Sequence, residues 1–175
     1  IKVNNNLDFI LNRKSIKKYK DTMVLTDDLN KIIECGKYAP SGMNKQSAII
    51  LAVTNKEMRD KLSKLNAKIM GNENIDPFYN APVVLVVLAD KDVPTYIYDG
   101  SVVMENLLLA AHTLGLGACW IHRAKEMFET EEGKSILNSL GINGNYEGIG
   151  NCIIGYPDMD PVDKPRKDNY VYYIK

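Results

Sequence analysis

Several stretches of this chain combine residue types that can bind or react, and the first is a cluster of cations around a serine. Arg13, Lys14, Lys17 and Lys18 surround Ser15. In an extended segment alternate side chains point the same way, so Arg13, Ser15 and Lys17 would share one side. Two cations and a hydroxyl donor on one side suit a phosphate group. The alternative is an ordinary solvated basic surface.

The second stretch is a turn-rich loop with uncharged polar side chains. It covers residues 40–46 and has the sequence PSGMNKQ. Its serine and amide groups offer donors and acceptors without charge, which suits the carbonyls and ring N–H groups at the edge of a heterocycle. The alternative is a simple connection between a helix and a strand.

The third stretch, residues 115–123, resembles half of a dinucleotide-binding fingerprint but lacks the context. Trp120 occupies the place of the last glycine and no strand precedes the stretch, so the Rossmann interpretation fails. His122 is a candidate acid or base, although no serine or cysteine with an acid forms a triad with it. His112 and His122 have no paired ligands at metal-binding spacing, so the sequence predicts no metal site.

Charge and cysteine content limit the function classes. The chain has 22 Lys plus Arg and 22 Asp plus Glu, so its formal net charge is zero. This balance gives no general argument for nucleic acid or an anionic membrane as a partner. Cys35, Cys119 and Cys152 lie in or beside apolar segments without a CxxC pair, which predicts buried, reduced thiols in a cytosolic protein. A basic turn, KPRK at residues 164–167, has no particular meaning by itself.

The element that must position these groups covers residues 99–123. Its Ala, Leu and Met residues favour a helix, and glycines at 115 and 117 predict its end before a short extended segment. The apolar positions at helical spacing are Val102, Val103, Leu107, Ala110, Ala111 and Leu114. Polar residues interrupt the run, so it is not a membrane span. A helix this apolar must be covered by its own domain and, we expect, also by a partner subunit.

The remaining pattern predicts four or five strands and five or six helices in one domain. Residues 48–54, 82–89 and 150–156 read as buried strands, and residues 70–80 as a polar surface loop. Thr26, Asn55 and Thr130 are candidate helix caps. Residues 170–174 predict a final extended segment that pairs with a sheet edge. Helix pairs followed by scattered strands favour an α+β fold or a three-layer sandwich over a regular βαβ array.

The order of these motifs resembles the nitroreductase family, which are FMN-dependent NAD(P)H oxidoreductases. The matching motifs, from about Leu7 to Lys167, are RxSxK, APSGxNxQ, APVVLVV, NLLLAAxxLGLGACWI, GYP and KPRK. The resemblance implies a three-layer α/β/α sandwich with a mixed, mostly antiparallel sheet over residues 1–175. It also implies a homodimer with the long central helix in its interface and FMN between the subunits. Residues 158–175 would form an arm on the partner subunit.

The resemblance assigns roles to individual residues. Arg13, Ser15, Lys164 and Arg166 would hold the FMN phosphate, and Lys17 would approach N1 and the C2 carbonyl of the ring. The loop would face the ring from the other subunit, and the backbone at His122 and Arg123 would lie near N5. The complete implied set is Arg13, Lys14, Ser15, Lys17, Pro40, Ser41, Gly42, Asn44, Gln46, His122, Arg123, Lys164 and Arg166.

The implied activity is a ping-pong reduction of nitroaromatic, quinone or similar small acceptors by NADH or NADPH in the cytoplasm. The flavin would carry the chemistry, so no catalytic side chain or metal is needed. Two flavin-based alternatives stay open: a non-catalytic flavin-binding or storage protein, and a specialised relative such as a flavin destructase or dehalogenase. A third alternative, a basic-armed interaction domain without cofactor, is disfavoured by the zero net charge.

Overall fold

The computed structural model describes residues 7–175, which form a four-stranded sheet between two layers of helices. The strands are β1 (Ala48–Val53), β2 (Val83–Asp90), β3 (Gly117–Ile121) and β4 (Tyr146–Gly155). The helices are α1 (Asp8–Leu11), α2 (Thr26–Lys37), α3 (Lys56–Met70), α4 (Tyr96–Thr113), α5 (Ala124–Glu129) and α6 (Glu131–Ser139). The strand order is β1-β2-β4-β3, and all three neighbouring pairs are antiparallel. The predicted fold class is confirmed; residues 1–6 of the predicted domain lie outside the described part.

Strand β2 is the centre of the molecule and explains the two helical layers. Residues 83–89 are completely buried. Val84, Val86 and Leu88 pack with α3, α5 and α6, whereas the alternate side chains pack with α2 and α4. A strand covered on both faces needs apolar residues at every position, which accounts for its unbroken β-branched sequence.

A bulge in β4 brings the beginning of α5 against the sheet. Val87 pairs with Gly150 and Leu88 with Gly148, so Ile149 is an extra residue in β4. A Cβ atom on Gly148 would overlap the backbone of Ala124 and lie 2.7 Å from the nitrogen of Lys125. Only glycine therefore permits this close approach, which fixes where the chain turns between β3 and α5.

Helix α4 follows the predicted pattern but begins at Tyr96, ahead of residue 99. Met104, Leu107 and Ala111 are fully buried against the sheet and α2. The opposite face stays open, and Tyr98 and Val102 are 73% and 37% exposed. Among the described residues, no helix has the length and apolar character that crossing a membrane requires.

The predicted helix caps are confirmed at two of three positions. Asn55 accepts a hydrogen bond from the nitrogen of Met58, and Thr130 accepts one from the nitrogen of Gly133. Thr26 is wrong as a cap, because the carbonyl of Leu25 accepts the first helical hydrogen bond from Leu29 at 3.0 Å. Thr26 is therefore the first helical residue, and no side chain caps α2.

Three other predictions of burial and pairing need correction. Cys35 is exposed, because the buried side of α2 carries Leu29, Ile32 and Gly36 instead. β1 is only half-buried, since it lies at the edge of the sheet with one neighbour. Residues 170–174 form no strand and are exposed.

Candidate functional site

The basic segment at residues 13–19 lies along the outer edge of β3. The nitrogen of Ile16 donates to the carbonyl of Ala118 at 3.0 Å, and Ser15 bridges Ala118 in a parallel sense. Ile16 and Tyr19 are each 8% exposed, so they attach the segment to the core. The segment is therefore extended along β3, which is the conformation on which the phosphate interpretation depends.

Arg13, Ser15 and Lys17 all influence the pKa of the Cys119 thiol. Burial raises the pKa of Cys119, while a hydrogen bond with Ser15 and the positive charges of Lys17 and Arg13 act in the opposite direction. The nearest acid to Arg13 is Glu105, 3.9 Å from its Nε. Within the described residues Lys17 has no ion pair, and its Nζ lies 5.8 Å from the ring centre of Tyr79. Weakly compensated cations beside a hydroxyl fit an anionic group such as a phosphate.

Lys14 has a different position from its neighbours. Its Nζ donates to the carbonyl of Pro161 at 2.9 Å and lies 2.9 Å from Oδ1 of Asp163. This contact brings the beginning of the C-terminal segment to the basic segment. Lys164 and Arg166 follow directly and are exposed, and in the described part of the chain no contact joins them to Arg13 or Ser15.

The loop at residues 40–46 has an unusual backbone. Met43, Asn44 and Gln46 have φ angles of 52°, 54° and 49°, in the left-handed region. Each such non-glycine residue costs about 1–2 kcal/mol. Two hydrogen bonds oppose this cost, from the nitrogen of Gln46 to Oγ of Ser41 at 2.9 Å and from Nε2 of Gln46 to Oδ1 of Asn44 at 3.0 Å. Strain of this kind concentrates at binding and catalytic sites.

Asp99 holds the loop against α4, a role that no sequence pattern predicted. Its carboxylate accepts from the nitrogen of Gly42 at 2.9 Å, Oγ of Ser47 at 2.7 Å and Oγ1 of Thr95 at 3.0 Å. The side chain is buried, with 4% exposure. Burial acts to raise the pKa of Asp99, but the three donors outweigh it and hold the pKa below its ordinary value. Asp99 is therefore ionised at neutral pH and fixes the loop.

We expect Asp99→Asn to lower the free energy of unfolding by about 2 kcal/mol at pH 7, because three hydrogen bonds lose a charged acceptor. A carboxyl group with a lowered folded-state pKa stabilises the fold above its unfolded pKa of about 3.9, and this stabilisation disappears as the pH falls through the folded pKa. The difference between wild type and variant should thus shrink below pH 4.

Urea unfolding of the protein at pH 7 and pH 3.5 measures this difference. Asp158→Asn is the control, because its carboxylate is 46% exposed and pairs only with Lys18. Surface pairs contribute little, so the control should stay close to wild type. A constant difference between wild type and Asp99→Asn at both pH values would contradict the assignment.

A cavity of about 830 Å³ lies beside this loop. Ser41, Asn44, Gln46 and Asp99 supply polar groups to its wall, while Ala48 and Val103 are among its apolar lining. The residues of the basic segment do not line it. The wall combines apolar side chains with a few polar groups, some of them charged, and this mixture suits a flat heterocycle.

The turn after β3 is the third sequence-predicted part of the site. Arg123 has a φ of 75° and is half-buried, while the His122 side chain is exposed. The carbonyl of His122 accepts from Nδ2 of Asn66 at 2.8 Å and from Nδ2 of Asn151 at 3.2 Å. Sequence analysis missed both asparagines, although a polar residue on the apolar side of α3 and another within the buried β4 are visible signals.

Residues 70–80 form a surface loop, as predicted, but buried groups hold its second half. Asp76 accepts hydrogen bonds from the side chains of Arg59 and Ser63 and from the nitrogen of Asn80. Burial acts to raise the pKa of Asp76, and these donors lower it below the ordinary value. The result is a left-handed turn at Tyr79 and Asn80, with φ angles of 50° and 58°, which places Tyr79 beside Lys17.

The basic segment and the polar loop contact α4 at different positions along the helix axis. Gly42 donates to Asp99, whereas Arg13 lies near Glu105, six residues later. Six residues correspond to about 9 Å along a helix. Within residues 7–175 no hydrogen bond or ion pair joins the basic segment to the polar loop. In the same range no cluster of three or more His, Cys, Asp or Glu side chains is placed to hold a metal ion.

Nearly the whole chain is similar to known proteins. Residues 10–156 match the model of the Nitroreductase family. A relative from Archaeoglobus fulgidus, named as an NADH dehydrogenase/NAD(P)H nitroreductase, is 33% identical over 94% of this chain and 88% of its own length. A solved nitroreductase with bound FMN from Bacteroides fragilis is 28% identical with a TM-score of 0.88, covering 99% of this chain and 100% of that one. An FMN-dependent nitroreductase from Clostridium difficile is 31% identical with a TM-score of 0.77, covering 95% and 98%.

Proposed function

The chain belongs to the nitroreductase family, and from this premise we propose that it is an FMN-dependent enzyme that oxidises NADH or NADPH and reduces a small acceptor. The acceptor class is a nitroaromatic, a quinone or a similar compound, and the two half-reactions follow a ping-pong order. The observation that carries the proposal is the extended basic segment along β3, in which Arg13 lies 3.9 Å from the half-exposed Glu105 and Lys17 has no ion pair among the described residues. The free cysteines are compatible with a reducing compartment, so we place the reaction in the cytoplasm.

The residues divide the binding of FMN between its two ends. Arg13 and Ser15 bind the phosphate, and Lys164 and Arg166 of the adjacent C-terminal segment complete its charge. When bound, FMN supplies the ring that accepts and donates hydride. Lys17 lies at the edge of that ring, where its positive charge stabilises the negative charge gained on reduction. The protein itself needs no general acid or base for this chemistry.

A homodimer explains why the two halves of the site lie apart in one chain. The exposed face of α4 carries Ile97, Tyr98 and Val102, which are 49%, 73% and 37% exposed. In a two-fold symmetric contact through this face, the first half of α4 meets the second half of its copy. The loop beside Asp99 of one subunit then comes close to the segment beside Glu105 of the other. FMN would be held between them, with Pro40, Ser41, Gly42, Asn44 and Gln46 supplied by the loop of one subunit.

The C-terminal segment also fits a dimer. Tyr172, Tyr173 and Ile174 are 80%, 82% and 103% exposed. Apolar side chains in a row with this exposure indicate a covering partner surface. We propose that residues 158–175 pack on the second subunit, beginning where Lys14 binds the carbonyl of Pro161.

The direct test is purification, FMN loading and steady-state turnover with each nucleotide against a panel of nitro compounds and quinones. We expect a yellow protein that NADH or NADPH bleaches and that an acceptor then reoxidises. A protein that cannot be loaded with FMN would refute the proposal. A protein that binds FMN tightly but oxidises neither nucleotide with any acceptor would support the flavin-storage alternative instead.

We expect Lys17→Ala to lower the reduction potential of bound FMN, because a cation next to the reduced ring is lost. A destabilisation of the reduced form by about tenfold or more corresponds to at least about 30 mV for a two-electron couple. Equilibration with a reference dye during slow reduction measures the potential. Lys18→Ala removes the same charge one residue away, where Lys18 pairs with Asp158 at 2.9 Å, and should leave the potential unchanged. Equal potentials in wild type and Lys17→Ala would remove Lys17 from the ring.

A further inference from the structure

Two buried asparagines from different elements bind the same backbone carbonyl. Asn66 of α3 and Asn151 of β4 are both 0% exposed. Their Nδ2 atoms donate to the carbonyl of His122 at 2.8 Å and 3.2 Å, and Asn151 also reaches the carbonyl of Ile121 at 3.2 Å. The orientation of the peptide between His122 and Arg123 is therefore fixed from the inside of the protein.

Fixing the carbonyl also fixes the N–H group of the same peptide. A trans peptide is planar, and its C=O and N–H bonds point in opposite directions. Because the His122 carbonyl points toward the buried asparagines, the Arg123 N–H points outward, to the side where the His122 side chain is exposed. Within residues 7–175 no group accepts a hydrogen bond from this N–H. In this turn Arg123 has a φ of 75°, a left-handed conformation that is unfavourable for a residue with a side chain.

The arrangement is costly, which argues for a purpose beyond packing. The Oδ1 atoms of Asn66 and Asn151 are both buried without a hydrogen-bond partner in the described structure. A buried unsatisfied acceptor is expensive, whereas an apolar residue of the same shape would avoid that penalty. The two amide groups instead provide a fixed orientation for the peptide between His122 and Arg123.

We propose that Asn66 and Asn151 are positioning residues that aim the Arg123 N–H at N5 of bound FMN. This inference rests on the proposed function. Oxidised N5 is a hydrogen-bond acceptor, whereas N5 of the fully reduced ring carries a hydrogen of its own. A rigidly directed N–H therefore favours the oxidised ring, and the two asparagines adjust how readily the cofactor gives up its electrons.

The first test compares reduction potentials of the FMN-loaded variants Asn66→Leu and Asn151→Leu. Each replaces an amide by an apolar group of similar size and removes one of the two donors that hold the His122 carbonyl. We expect the reduced form to gain about tenfold relative to the oxidised form, a positive shift of about 30 mV for two electrons. Because both residues act on one peptide, the double variant should shift by much less than the sum of the two.

Met127→Leu is the matched control. Met127 is 0% exposed and its sulfur accepts from Nδ2 of Asn66 at 3.3 Å, so this change disturbs the same buried cluster while the His122 carbonyl keeps both donors. A structural role alone would move the potential in all of these variants or in none. Either result would overturn the proposal.

A second test uses the wild-type protein and does not depend on the folding of any variant. The chain has four arginines, Arg13, Arg59, Arg123 and Arg166, so selective ¹⁵N-arginine labelling gives four backbone amide signals. FMN should move the Arg123 signal downfield, whereas 5-deaza-FMN, which has a C–H at this position, should not. An identical Arg123 shift with both compounds would refute the N–H contact. Failure of wild type to bind either compound would instead refute the proposed function.

Discussion

Arg13→Ala should weaken FMN binding roughly 10- to 150-fold. The change removes one charge-assisted hydrogen bond to the phosphate, worth roughly 1.5–3 kcal/mol, and each 1.4 kcal/mol is about tenfold in affinity. Arg13 is suited to this contact because its only acidic neighbour in the described structure, Glu105, is 50% exposed and 3.9 Å away. The guanidinium is thus already held near the site without being neutralised there.

Titration of the FMN-free protein, followed by the loss of FMN fluorescence, measures this effect. Lys18→Ala is the matched control, because it also removes one positive charge from the same segment. Its side chain is 68% exposed and pairs with Asp158, away from Cys119. We expect the control to bind FMN within about twofold of wild type, since exposed pairs and charges contribute little. Equal loss of affinity in both variants would mean that overall charge, and not a phosphate contact, holds the cofactor.

If the proposed dimer forms through α4, Val102→Asp should convert it to a monomer and abolish FMN binding at micromolar concentrations. An unpaired charge buried in an interface costs about 3–5 kcal/mol, and two-fold symmetry introduces it twice. The cost of roughly 6–10 kcal/mol corresponds to at least a 10⁴-fold weaker dimer. Val102 suits the test because it is 37% exposed in one chain, so the charge is solvated in the monomer and the fold should survive.

Sedimentation velocity, together with FMN titration of the same samples, measures both consequences. Leu140→Asp is the control, because Leu140 is a 59% exposed apolar residue at the end of α6, on the other side of the sheet from α4. This variant should remain dimeric and bind FMN as wild type does. A Val102→Asp protein that is dimeric and binds FMN normally would show that the subunits meet elsewhere.

The sequence pattern predicted best where local spacing alone decides the structure. β2 is buried on both faces, so every residue must be apolar, and that run identifies a central strand without further information. The helix-forming residues of α4 and the helical spacing of its apolar residues likewise predict this helix, and the glycine after it predicts where it ends. Asn55 and Thr130 are correct as caps because a cap binds a nitrogen three residues away, within the reach of a local motif.

The polar contacts that position the site were not predictable in this way. Asp99 binds Gly42 and Ser47, which are 57 and 52 residues away, and no local pattern encodes such a pairing. Asn66 and Asn151 meet at His122 only because α3, β3 and β4 converge there. The polar groups of these residues find their hydrogen-bond partners only after the core has formed. The family resemblance supplied the list of proposed cofactor-binding residues but not the groups that hold them in place.

The bonds from Asp99 to the loop have a thermodynamic consequence for the assembled protein. Asp99 lies on α4, so the helix proposed to join the subunits also fixes the loop proposed to face the ring. Association of the subunits and binding of FMN are then thermodynamically coupled, so each must promote the other. Dilution should release cofactor, and excess cofactor should hold subunits together at concentrations where the empty protein separates. The concentration of FMN would thereby set how much of this protein persists as the proposed dimer.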